Sequence, residues 1–125
     1  MQQQSDGLWY SDEYWSFQIG DELTDKYRLD VSGYSGDAGN GLQYDGAWSG
    51  DDEGCYLHDG MMFSTYDQDN DLSTNANCAA GRDGGWWFNN CYMACTSCGG
   101  EHHSWWTLAG RVLDHSRMMV KPRII

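Results

Sequence analysis

The sequence predicts an α+β fold: a mixed, mainly antiparallel sheet with short helices and long ordered loops. Three observations predict it. Two runs alternate apolar and polar residues at the strand period of two, no stretch sustains a long amphipathic helical pattern, and sixteen glycines against one proline mark many tight turns. Seven Trp, eight Tyr and three Phe supply an aromatic core between those turns, which argues against disorder.

Along the chain, Trp15, Phe17 and Ile19 alternate with Ser16, Gln18 and Gly20. After Asp21-Glu22 comes a second alternation, Tyr27, Leu29 and Val31 against Arg28, Asp30 and Ser32. Two antiparallel strands with one wet face follow from this. The run GYSGDAGNG from Gly33 to Gly41 is a compact connecting loop, where glycine can take positive φ and Asp37 or Asn40 can close side-chain turns. Tyr44 to Gly60 is Gly- and Asp-rich and reads as a surface insertion anchored by Trp48 and Cys55. Met61 to Tyr66 is a short strand candidate leading to an acidic loop, with Trp86-Trp87-Phe88 as the apolar cluster beyond it. Near the end, Met118 and Val120 alternate with Met119 and Lys121 before Pro122, as expected of a terminal strand returning to the sheet.

At 125 residues the chain fits one domain spanning 1–125. Seven basic against nineteen acidic residues give a formal charge of -12, which disfavours nucleic acid and anionic membranes as partners. No apolar run approaches the roughly 20 residues that span a bilayer. The opening Met1 to Asp6 lacks the basic start and apolar stretch of a signal peptide, so the expectation is a mature piece of a secreted protein.

The acidic loop carries the clearest chemistry. Asp67, Asp69, Asp71, Ser73 and Asn75 place oxygen-bearing side chains at every second position, a spacing that lets a curled loop aim hard ligands at one calcium ion. An EF-hand fails, because its sixth position would need Gly and its twelfth Glu, where this sequence has Leu72 and Cys78. A solvated acidic turn is the plain alternative.

The neighbouring sequence bears on that choice. FSTYDQDNDLSTNANCA, Phe63 to Ala79, followed by GGWWFNNC, Gly84 to Cys91, resembles the fibrinogen C-terminal domain family; so do YRLDVSGYSGDAGNGL, Tyr27 to Leu42, and HSRMMVKPR, His115 to Arg123. The resemblance covers most of the sequence in the right order. It implies the family's central and distal subdomains without the N-terminal one, and an exposed sheet edge for which self-association into a homo-oligomer is one answer. It implies calcium held by the carboxylates of Asp69 and Asp71 and the carbonyls of Ser73 and Asn75, with Asp67 one step removed. It also implies a Cys78–Cys91 disulfide bracing that loop, worth about 3 kcal/mol in the chain-entropy model.

In lectin-like members, ficolins and tachylectins, the second cysteine and the residue after it border a pocket for acetylated sugars, often through a cis peptide. Here those residues are Cys91 and Tyr92, where His is common at the second. With His102 and His103 they form the candidate ligand-binding set, to which Trp105 and Trp106 belong unless both are core. The family's NLNG stretch is replaced by MACTSCGG, Met93 to Gly100, so acetyl specificity does not transfer with it.

Cysteine arithmetic leaves pairings open: with five cysteines, Cys55 can join Cys95 or Cys98, or Cys95 can bridge Cys98. Cys91, Cys95, Cys98, His102 and His103 also have the residue types of a zinc site, though a secreted compartment favours disulfides. The resemblance implies a secreted, calcium-binding recognition module for carbohydrate or acetylated groups, as in innate immune recognition. The alternative is a protein-binding module, as in fibrinogen and the angiopoietins. An enzyme is not expected, since no nucleophile, base and orienting group assemble from spacing, and His58 and His115 stand alone.

Overall fold

The computed structural model describes residues 1–44 and 56–122. In order along the sequence the elements are β1 (Gln2–Gln3), β2 (Asp12–Ile19), α1 (Glu22–Asp25), β3 (Leu29–Gly36), α2 (Cys78–Arg82), β4 (Ala94–Cys95), a 3-10 turn at Gly100–His102, β5 (Ser104–Trp105) and β6 (Leu113–His115). Among the described residues they form three antiparallel two-stranded sheets, β1-β6, β2-β3 and β4-β5. No helix among the described residues is long and apolar enough to cross a membrane.

The β2-β3 ribbon is the pair read from the alternating runs. Its register places Phe17 opposite Val31 and Ile19 opposite Leu29, so the apolar residues of both strands share one face. A tight turn does not join them. Asp21 caps α1 by accepting from the Thr24 N–H at 2.8 Å, and Lys26 and Tyr27 turn the backbone with φ of 48° and 56°. The core covers β3 and leaves β2 at the edge: Leu29 and Val31 are 1% and 2% exposed, whereas Trp15 and Ile19 are 80% and 50% exposed. The alternation identified which residues share a face, and half of that face lies in the open.

The core lies mainly in the irregular half of the molecule, where Cys78, Ala79, Trp86, Trp87, Phe88, Met93, Ala94, Cys95, Trp105 and Leu108 are buried. Trp87 joins the two halves. Its ring meets Phe17 edge-on at 6.1 Å, Phe63 at 5.3 Å and Trp86 at 5.1 Å, and its Nε1–H donates to the Tyr27 carbonyl at 2.8 Å. A second joint needs glycine: Trp105 Nε1–H donates to Gly39 O at 3.1 Å, and a Cβ at Gly41 would lie 2.6 Å from the Trp105 ring.

Two strand expectations are corrected. Met61 to Tyr66 is no strand but a segment with isolated bridges, Ser64 to Trp86 and Thr65 to Gln68, because its backbone groups bond to scattered partners, Met61 O accepting from Leu29 N–H and Phe63 N–H donating to Lys26 O. The closing strand is Leu113–His115, paired to β1; Met118, Met119 and Val120, further on, are 50–79% exposed and outside any strand. Most of the proposed insertion, with Trp48 and Cys55, lies outside the described residues, as does Arg123.

Candidate functional site

Two loops meet at α2. The acidic loop is fixed from both ends by ordinary hydrogen bonds. Buried Ser64 accepts from Asn70 N–H at 3.0 Å, and Asn70 Nδ2–H donates to Phe63 O at 2.9 Å. Asn77 caps α2 through Ala80 N–H at 3.1 Å while its Nδ2–H reaches Tyr66 O at 3.0 Å. Asp71 faces inward: one oxygen accepts from Ser73 N–H at 2.9 Å and the other from Cys78 N–H at 2.9 Å. Asp69 accepts from Asp71 N–H at 3.2 Å, and Asp67 from Thr65 Oγ–H at 2.7 Å.

Burial, then the adjacent Asp69 carboxylate, holds the Asp71 carboxyl above the usual range against the lowering effect of those two backbone donors. Two like charges held together by the fold are what a divalent cation would relieve, so the donor set suits calcium. Among the described residues no group of three His, Cys, Asp or Glu side chains comes together as a metal site. The carbonyls of residues such as Ser73 and Asn75 would have to complete the shell.

The second loop, Asn89 to Ala94, is tied to the first by the Cys78–Cys91 disulfide, with Cα atoms 5.5 Å apart. Leu72 N–H also donates to Asn89 O at 3.0 Å, and the Asn90–Cys91 peptide is cis. Beneath the loop lies His58, 0% exposed. Its Nδ1–H donates to Trp87 O at 2.8 Å and its Nε2 accepts from Met93 N–H at 2.9 Å and Ala94 N–H at 3.2 Å, which fixes one neutral tautomer. Burial pushes its pKa down to about 4. A histidine that looked isolated in the sequence thus supports the candidate ligand loop, and no spacing in Leu57-His58-Asp59-Gly60 announces it.

Above the loop Tyr92 is half-buried, and burial raises its phenol pKa. Its Oη shares a 2.9 Å hydrogen bond with His102 Nδ1, and its ring meets His102 and Trp106 edge-on, each at 5.9 Å. Arg82 lies 5.8 Å from the Tyr92 ring centre and Arg111 4.7 Å from that of Trp106. Of the residues expected here, Cys91, Tyr92 and His102 come together, whereas His103 turns to Ser116 Oγ at 2.7 Å. The two tryptophans divide: Trp105 is core at 3% exposed, and Trp106 is half-buried beside Tyr92. Arg82 and Arg111 were missed, because no motif links positions so far apart in the sequence.

Cys95 bridges Cys98, which resolves that pairing and consumes the two thiols a zinc site would need. Cys55 lies outside the described residues. A hollow of about 360 Å³ is lined by Gln18, Arg28, Asp30 and Asp59 among others, none of them part of the Tyr92 cluster.

Comparison with known proteins gives this arrangement its relatives. The family model for the C-terminal globular domain of the fibrinogen beta and gamma chains matches residues 2–123. The fibrinogen beta chain of Gallus gallus is 45% identical over 87 residues, 65% of this chain and 18% of its own length. Protein scabrous of Drosophila melanogaster is 35% identical over 127 residues, covering 97% of this chain and 14% of its own. Among solved structures, a lamprey fibrin D-dimer complexed with the peptide Gly-His-Arg-Pro-amide superposes with a TM-score of 0.68 at 30% identity, covering 86% of this chain and 38% of that one. The fibrinogen-like globe domain of human ANGPTL2 gives 0.59 at 33% identity, over 75% and 36%. The protein therefore spans well under half the length of these relatives, and it belongs to the fibrinogen C-terminal globular domain family.

Proposed function

We propose that the protein is an extracellular, non-enzymatic recognition module that binds a polypeptide ligand on the surface around Tyr92, with calcium at Asp69 and Asp71 bracing the loop beside it. The observation that carries this is the pairing of a rigid base with an accessible aromatic surface. His58, the Cys78–Cys91 bridge and the Asn89 contacts fix the loop, while Tyr92 and Trp106 stay half-exposed above it. Pre-organised aromatics lower the entropic cost of binding and are enriched at protein interfaces. A structural neighbour that holds a peptide supports the class of ligand. Two disulfides support an oxidising, extracellular setting.

Carbohydrate is the second reading, favoured by the Tyr92 and Trp106 faces beside a histidine, a combination that also suits stacking on a sugar. A calorimetric panel separates the two. Peptides of different charge, including Gly-His-Arg-Pro-amide, are titrated beside N-acetylglucosamine against the protein and its Tyr92→Ala variant. Peptide binding weakened about tenfold or more by the variant, equivalent to about 1.4 kcal/mol, supports the proposal. Binding of the sugar alone replaces it with the lectin reading.

A further inference from the structure

The surface around Tyr92 gathers basic side chains in a protein that is acidic as a whole. Of seven basic residues in a sequence of net charge -12, two, Arg82 and Arg111, sit against the Tyr92–Trp106 pair. The cluster runs Arg82, Tyr92, Trp106, Arg111, with His102 edge-on to Tyr92.

Arg82 is short of acceptors. Among the described residues it makes no ion pair, its Nε–H is buried without a hydrogen-bond partner, and its described contact is the Tyr92 ring. Arg28, by contrast, is held by Asp25 at 2.8 Å and by Gly60 O at 2.6 Å. A guanidinium that no described carboxylate neutralises can donate its terminal N–H groups to a ligand's carboxylate in a forked pair.

Resting on the proposal of a polypeptide-binding surface, we infer that this site selects an acidic segment, one that presents Asp or Glu beside an aromatic side chain. A carboxylate pairs with Arg82, and the aromatic packs against the Tyr92–Trp106 faces, beside which Arg111 adds positive charge. At physiological ionic strength charges beyond about 8 Å are screened, so a docked segment feels these arginines more than the distant acidic surface. Glu101, which acts on Tyr92 against Arg82, opposes it. The net charge of -12 disfavours acidic segments on average, so their docking depends on local basic groups such as Arg82.

The test titrates the intact protein, followed by tryptophan fluorescence, with three probes: a capped hexapeptide alternating Glu with Tyr, its counterpart with Lys for Glu, and a heparin hexasaccharide. Saturable binding of the Glu peptide is expected, about tenfold or more tighter than the Lys peptide. Arg82→Gln weakens it about tenfold and Arg82→Lys less, since lysine keeps the charge and loses the fork. Arg111→Gln is the second variant, and urea unfolding checks that each variant keeps its fold. Equal or tighter binding of the Lys peptide overturns the charge selection and leaves a polypeptide-binding surface standing. Failure of both peptides overturns both. Heparin binding tenfold tighter than the Glu peptide, or an Arg82→Gln variant that folds and binds the Glu peptide unchanged, also overturns the inference.

Discussion

Replacing His58 with alanine removes the one side chain that satisfies three buried backbone groups. Trp87 O loses its donor, and the Met93 and Ala94 N–H groups lose their acceptor. Each orphaned buried group costs about 1–3 kcal/mol, so the change should cost at least about 3 kcal/mol at pH 7.5 before any cavity is counted. That is a large part of a typical stability of about 5–15 kcal/mol.

The pH dependence gives a sharper signature. His58 has an ordinary value of 6.5 and a folded value of about 4, so in that window the unfolded state holds a proton the folded state does not. Its contribution is complete above pH 6.5 and falls as pH drops through the window, by about 3 kcal/mol at about 1.4 kcal/mol per pH unit. Asp12 works in the opposite direction. Among the described residues its oxygens have no well-formed hydrogen bond, and burial outweighs the lowering effect of the nearby Gly41 N–H and Tyr34 hydroxyl to push its pKa from 3.8 up to about 6. The folded state therefore holds the extra proton between those values, and Asp12 contributes stability at low pH that is lost as pH rises through about 6.

Urea unfolding from pH 4 to 8, followed through Trp86, whose ring lies 6.0 Å from His58, separates them. The stability difference between the natural protein and His58→Ala should shrink steadily from pH 6.5 towards 4. Asp12→Asn should stabilise the protein above pH 6 and steepen its loss on acidification. A His58→Ala cost under about 1 kcal/mol at pH 7.5, or a difference that stays flat with pH, would refute the reasoning, since both follow from a buried, doubly accepting neutral imidazole.

Converting Cys78 and Cys91 together to alanine should cost about 3 kcal/mol in non-reducing urea unfolding, whereas converting Cys95 and Cys98, which close a much shorter loop, should cost about 2 kcal/mol. A larger loss from the short bridge would contradict the loop-closure account. Without calcium, Asp71→Ala should destabilise by about 1–3 kcal/mol, because the Ser73 and Cys78 N–H groups lose an acceptor. Asp69→Asn, which removes a like charge, should leave thermal stability nearly unchanged. Calcium at a hundredfold excess over its Kd should stabilise the natural protein by about 2.7 kcal/mol and neither variant; an unmoved melting midpoint would count against the proposed calcium site.

What the sequence made legible follows the physics of each signal. Strand alternation found β2 and β3, but periodicity specifies only which side chains share a face. Leu29 and Val31 are covered while Ile19 is not, because cover comes from the distal half of the molecule. Met118 and Val120 alternate like a strand and have no ladder, since alternation does not supply a partner. The Cys78–Cys91 bridge was implied by the family resemblance, whereas Cys95–Cys98 was one of several pairings that counting left open. Tyr92 and His102 were marked by resemblance and proximity in the sequence. Arg82 and Arg111 reach the same surface from α2 and from the turn before β6, and His58 reaches its underside across 35 residues to Met93. Only folding brings such residues together, and no local pattern records it.

The claim that the Tyr92 surface receives a polypeptide is tested most directly by following the tryptophan indole N–H signals by NMR while the Glu–Tyr hexapeptide is added. Trp106 lies on that surface, its Nε1–H bonded to Ser104 Oγ at 3.2 Å, whereas Trp86 is buried at 1% exposed. The account predicts a saturable shift of the Trp106 signal, absent in Tyr92→Ala, with Trp86 unmoved. A peptide that saturates the protein and leaves Trp106 unmoved would contradict it.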